Sequence, residues 1–257
     1  MTKEWMVLMV RRRRLGSWRR RRGRAPVVAV DVRDAGADVE DHADIDDIVR
    51  GVTIGPWDVG ECPVDLDETL RPGRHSLIGE RRICTDSVSL VVPATAEYTA
   101  TAGGTTGVLS IPRSTIDVWC GRAGRGQVDD GPVAVAVNVF ADASSGGLWE
   151  RELLPMTCAT LAAAADAAGV EPDVTTESGV WGPLLTGSTP VAGGGVEDFY
   201  VQAASGPRWL LRLTAYGSGI DGRVRHLVDE IMAQATVIRG QAPVPPAACL
   251  SVSLRRG

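Results

Sequence analysis

Val133-Ala134-Val135-Ala136-Val137-Asn138-Val139-Phe140 is the stretch on which the fold turns. Valine recurs at every second position, which on a strand points all four valines to one face. The residues between them are small or apolar with one exception, Asn138. The run therefore predicts a central strand with both faces covered. Shorter β-type runs lie on either side of it. Upstream they are residues 88–92, 97–102, 106–111 and 115–120, separated by Pro93 and by Gly103-Gly104. Downstream they are residues 174–177, 180–186, 196–203, 208–216 and a final 249–254. Ala204-Ser205-Gly206-Pro207 has tight-turn composition, so 196–203 and 208–216 are expected to form a hairpin.

Two helices show the other period. Residues 148–168 carry Leu148, Trp149, Leu153, Leu154, Met156 and Leu161, then an alanine run that Gly169 ends as a left-handed cap. Pro155 lacks an amide donor and is expected to kink this helix or split off its first turn. Residues 222–236 align Val224, Leu227, Val228, Ile231, Met232 and Ala235 in one stripe, with Asp221 as N-cap. This helix should pack on a sheet face. Runs of strands punctuated by helices read as α+β, an antiparallel sheet covered by two main helices, rather than as βαβ alternation.

The 257 residues are 44% apolar and 23% charged, enough for a packed core. No apolar run approaches the ~20 residues of a membrane-spanning helix. The formal charge of −5 hides a split. Residues 1–24 hold ten basic groups and one acid, whereas the rest hold 17 and 31. A basic nucleic-acid-binding core is therefore excluded. Lys3 is the single lysine among 27 basic residues, so no P-loop lysine or Schiff base is available to the domain. Cys62, Cys84, Cys120, Cys158 and Cys249 are odd in number and widely spread, without zinc spacing; they read as small buried thiols in a reducing cytosol. The short apolar start precedes its arginines, the reverse of an export signal, and a cytoplasmic protein is expected.

The first 50 residues are two blocks of like charge. Arg11, Arg12, Arg13 and Arg14 are followed, after Leu15-Gly16-Ser17-Trp18, by Arg19, Arg20, Arg21 and Arg22. Asp31 to Asp47 is acidic. Such blocks repel internally and bury nothing, so residues 1–50 read as a disordered arm and 51–257 as one α+β domain. The arm's arginines are candidate contacts for nucleic acid or anionic lipid, set against neutralisation by its own acidic stretch.

Sites of known chemistry are missing from the motif inventory. No GxSxG, HExxH or GxxxxGK[ST] motif is present. Counted from Asp44, an EF-hand loop would need glycine and glutamate where Val49 and Gly55 stand. Gly121-Arg122-Ala123-Gly124-Arg125-Gly126 imitates a phosphate loop, but Asp129-Asp130 follow at once and would repel an anion. His42, His75 and His226 read as solvated or hydrogen-bonded. No catalytic residue, metal or cofactor is expected. The candidate contacts for a ligand or partner are Arg208, Arg212, Trp209 and Trp149. On a strand Arg208 and Arg212 would share a face and grip a carboxylate or phosphate, unless Glu197 and Asp198 neutralise them across the hairpin. Trp149, Trp181 and Trp209 read first as core or edge-of-core aromatics.

Ser145-Gly146-Gly147-Leu148-Trp149 opening a helix, Ser205-Gly206-Pro207-Arg208-Trp209-Leu210-Leu211-Arg212 entering a strand, and Val237-Ile238-Arg239-Gly240 before prolines resemble the actinobacterial domain-of-unknown-function family 3710. Gly55-Pro56-Trp57-Asp58 also resembles the start of that family's globular part. The resemblance covers about residues 130–250, and residues 66–131 depart from it. It implies no activity, cofactor or catalytic residue. The order of elements is similar to a PsbP-type α+β sandwich, an analogy of fold that carries no function. A non-enzymatic accessory protein that binds a partner protein or a small ligand is the leading expectation. An adaptor using residues 11–24 comes second. Third is an enzyme, to be betrayed by a polar cleft holding a group of perturbed pKa.

Overall fold

The computed structural model describes residues 56–58, 79–119, 131–143, 147–191, 195–239 and 244–255. The charged arm, the Gly121–Gly126 loop, His42, His75, Cys62 and Cys120 lie outside the described residues. The strands are β1 (Trp57–Asp58), β2 (Glu80–Cys84), β3 (Val88–Pro93), β4 (Glu97–Ala100), β5 (Gly107–Ile111), β6 (Val133–Ala141), β7 (Asp173–Gly179), β8 (Gly182–Pro190), β9 (Val196–Gly206), β10 (Trp209–Gly217) and β11 (Thr236–Val237). Among the described residues three helices interrupt them: α1 (Arg113–Trp119), α2 (a π-helical turn Trp149–Leu153 running into Leu154–Ala168) and α3 (Gly222–Ala233). The protein is α+β and mostly strand.

Seven strands form one antiparallel sheet in the order β4-β5-β6-β10-β9-β8-β7, and four form a second in the order β1-β11-β3-β2. In the second sheet β1 runs parallel to β11, where a wholly antiparallel sheet was expected. β6 is paired on both sides, with β5 and with β10. Its four valines are fully buried on one face. The other face is covered only at its far end: Asn138 and Phe140 are buried, but Ala134 and Ala136 are half-exposed. The expectation of two covered faces thus holds for half of the strand, because α2 reaches no further.

α3 follows its stripe. Val224, Leu227, Val228, Ile231 and Met232 are buried against β10, β9 and β3, in one apolar cluster with the β6 valines and with Trp209, Leu211 and Leu213 of β10. The carboxylate of Asp221 accepts from the amides of Arg223 (3.0 Å) and Val224 (3.2 Å), a cap worth about 1 kcal/mol. α2 covers the opposite face, where Trp149, Leu153 and Leu161 pack on Phe140, Leu185, Phe199 and Leu210. Pro155 explains its π-helical opening. Without an amide hydrogen it breaks the regular ladder, and the Leu154 amide reaches back five residues to Trp149. Gly169 closes α2 in the left-handed region (φ 68°).

Several expectations are corrected. Residues 115–119 of the expected 115–120 strand are helical instead: Pro112 O accepts from the Thr115 and Ile116 amides and starts α1, whose Ile116 and Trp119 join the α3 core. Residues 249–254 form no strand, only the isolated bridges Cys249–Phe140 and Leu254–Thr85. Cys84 and Cys249 are exposed and Cys158 half-buried, against the expectation of buried thiols. No helix among the described residues is long and apolar enough to cross a membrane.

Candidate functional site: a cleft between the β7–β8 turn and α3

A cleft of about 430 Å³ opens where the β7–β8 turn, β9 and α3 meet. Its rim is Ser178, Gly179, Val180 and Trp181, its floor Leu184, Tyr200 and Gln202, and its helical wall Asp229. The period of two along β9 puts Tyr200 and Gln202 side by side on the α3 face. Asp229 lies one residue beyond the buried Val228, which turns it out of the core stripe towards the cleft.

The polar groups form a chain. Tyr200 Oη lies 2.8 Å from Asp229 Oδ1 and 3.2 Å from Gln202 Oε1. One hydroxyl hydrogen cannot serve both acceptors, and the shorter contact to the carboxylate is the stronger. The Arg225 guanidinium sits 5.6 Å from the Tyr200 ring centroid and pairs with Glu177 at 3.6 Å, which also accepts from Thr186. Burial pushes the Tyr200 hydroxyl far above its ordinary pKa, and the negative charge of Asp229 adds to this. Burial also raises Asp229, opposed by the Tyr200 hydrogen bond and by His226 and Arg225. His226 turns away to Glu230, at 3.2 Å.

Gln202 is the anomaly. It is 1% exposed, yet its Nε2 has no hydrogen-bond partner. Exchanging the amide's oxygen and nitrogen would let nitrogen donate to Tyr200 while Tyr200 donates to Asp229, but then the oxygen is left unpaired. Either orientation strands one polar group in the floor of the cleft. Buried amides are nearly always satisfied, so an orphan beside an open cavity is a candidate position for a polar group of a ligand or for an ordered water.

The four residues singled out from sequence fall elsewhere and are not brought together. Arg208 is not on the strand. β9 runs on to Gly206, and Pro207, fixed in φ and without a donor, occupies the first position of a two-residue turn. Arg208 takes the second, exposed at φ 67°, and cannot share a face with Arg212. The expected pairing with Glu197 and Asp198 does not occur either, since Arg212 lies opposite Ala203 and Asp198 opposite Gly217. Trp149 and Trp209 are each 1% exposed on opposite faces of the sheet. Trp149 Nε1 donates to Pro183 O at 2.6 Å, and a Cβ on Gly206 would collide with the Trp209 ring. Trp181 alone of the three borders the cleft. Tyr200, Gln202 and Asp229 were missed, although one signal was present: Gln202 is a polar residue on the buried parity of an apolar strand.

The family model described as Protein of unknown function (DUF3710) matches residues 121–256, more than half of the chain. The chain belongs to that family. The DUF3710 segment contains β6, both long helices and every residue of the cleft, so the site lies wholly within the family's domain. Among curated proteins none matches the chain. One similar solved structure is the crystal structure of LpqN, involved in cell envelope biogenesis of Mycobacterium tuberculosis. It is 14% identical at a TM-score of 0.32, covering 71% of this chain and 99% of that one. A score that low does not establish a common fold. Among the described residues no group of three or more His, Cys, Asp or Glu is placed to hold a metal.

Proposed function

We propose that this DUF3710 protein is a non-enzymatic binding protein whose cleft takes a small, uncharged, polar ligand with a flat apolar face. The orphaned Gln202 amide carries this reading. An amide is neutral and offers both donor and acceptor, so its complement is another neutral polar group, and Trp181 at the rim offers an apolar surface. The test is thermal-shift titration of wild type, Gln202→Leu and Trp181→Ala with small amides, polyols and heteroaromatic lactams. One of these classes should raise the melting temperature of wild type and lose that effect in both variants. If all three classes leave wild type unmoved at millimolar concentration, the cleft is not such a site.

Asp229 favours a second reading. A carboxyl raised by burial in a cleft is also how a general acid is made. Against it, Asp229 already receives the Tyr200 hydroxyl, and Tyr200 is itself too hard to ionise to act as a base. A turnover abolished by Asp229→Asn while ligand binding survives would replace the binding reading with the enzymatic one.

The same proposal takes residues 51–257 for one cytoplasmic domain of PsbP-like architecture, supported by a sheet with a long helix on each face. Arg11–Arg14 and Arg19–Arg22 are proposed to contact polyanions through charge alone. Replacing all eight with glutamine should weaken binding to DNA, RNA or anionic vesicles, and the difference should shrink as salt rises. Wild type that ignores all three at low salt would end the adaptor idea.

A further inference from the structure

Arg212 sits on the opposite face of the sheet from the cleft, at the edge of the ground covered by α2. Its Nη2 donates to Asn138 Oδ1 at 3.1 Å. Asn138 is fixed in that role because its amide nitrogen is spent on Thr105 O (3.2 Å) and Thr106 Oγ1 (2.9 Å). The guanidinium carbon lies 5.1 Å from the centroid of the Phe140 ring. Nε is shut off from solvent and has no partner. Among the described residues no carboxylate pairs with Arg212. The guanidinium keeps its proton at any physiological pH, so it cannot escape by neutralising. Among the described residues the cation is therefore held by an amide and an aromatic ring with no carboxylate paired to it, and its ionisable neighbour is the Cys249 thiol, whose ionisation burial opposes.

The surface around the guanidinium narrows which anion would pair with it. One rung further along, Thr214 and Ala136 are opposite partners on this face, and the next rung pairs Tyr216 with Ala134. All four are half-exposed, in a strip that α2 does not reach. The strip is small and largely apolar, and no second cation stands on these rungs. One charge suits a monoanion better than a phosphate, and an apolar strip leading from it suits a hydrocarbon body. We propose that Arg212, oriented by Asn138 and Phe140, anchors a second binding site that takes the carboxylate of a ligand with an apolar body.

Cys249 provides the readout. It bridges to Phe140 beside Arg212 and is exposed, whereas Cys84 is an exposed cysteine on the other sheet. The full chain is treated with iodoacetamide at constant ionic strength, and alkylation at each cysteine is followed by peptide mass mapping. The probes are octanoate, octanol and inorganic phosphate. Octanoate should slow Cys249 at least threefold in a saturable manner and leave Cys84 unchanged; octanol and phosphate should do neither. Arg212→Met should abolish the protection. Should that variant not fold, Thr214→Glu, half-exposed one rung away, supplies an internal carboxylate and should block octanoate equally. Protection that survives either folded variant overturns the proposal, as does its absence in wild type. Phosphate or octanol protecting as well as octanoate would overturn the assigned chemistry.

Discussion

Gln202→Leu should make the protein more stable while destroying the cleft's ability to bind. The buried amide leaves one polar group unpaired, a loss of about 1–3 kcal/mol relative to water. Its one hydrogen bond is the 3.2 Å contact with Tyr200, whose hydrogen has the nearer acceptor in Asp229 at 2.8 Å, so removing it costs no more than about 1 kcal/mol. Leucine is similar in size, buries apolar surface in its place beside Leu184 and Leu213, and leaves the Tyr200–Asp229 bond intact. A net gain of about 1–2 kcal/mol follows, which for a domain near 200 residues raises Tm by about 2–8 °C. Thermal and urea unfolding monitored by far-UV circular dichroism would measure it, with an unchanged urea slope showing that the unfolded state is unaltered. If Gln202→Leu lost 1 kcal/mol or more, the amide would be a structural element with a partner of its own, and the argument for a ligand site would collapse. The sign is decisive because nearly every other core substitution here is expected to destabilise.

Ile231→Ala, at a position with no exposed surface in the α3 stripe, should cost about 2–5 kcal/mol in the same unfolding assay, and an unchanged melting curve would contradict the packing of α3 on the sheet. Arg208→Gly should stabilise by about 0.5–1 kcal/mol, because arginine at φ 67° is held in a region glycine enters freely and its side chain is exposed. His226 should titrate above 6.5, chiefly because of its hydrogen bond to Glu230, with burial working in the opposite direction. A raised pKa means that its contribution to stability is complete below 6.5 and fades as pH rises through the folded value. An imidazole titration followed by NMR, with the midpoint falling in Glu230→Gln, would check this.

What could be read from the sequence was whatever depends on a local period or a single backbone constraint. The valine alternation of β6, the i, i+3, i+4 stripe of α3, the Asp221 and Gly169 caps and the disruption at Pro155 all rest on residues within a few positions of one another. Each appears in the structure because no distant contact opposes it. Residues 115–120 show the limit. Thr115, Ile116, Val118 and Trp119 suit a strand by composition, but Pro112 starts a helix and the α3 core rewards Ile116 and Trp119 for sharing one helical side. The turn at Pro207-Arg208 shows it again, since a one-residue shift in where β10 begins moved Arg208 off the face it would have shared with Arg212.

Both candidate sites were beyond the sequence for one reason: each is defined by a missing partner. Gln202 and Arg212 could be seen as polar residues on apolar strands. Only the register of β9 and β10 decides that Gln202 faces Tyr200 across from Asp229, and that Arg212 meets Ala203 and Asn138 instead of Glu197 or Asp198. Composition determined that the chain could build a core, and periodicity determined which faces its elements would bury. The tertiary structure alone decided which buried polar atoms were left unsatisfied, because satisfaction is a property of distances between segments that the chain brings together only on folding.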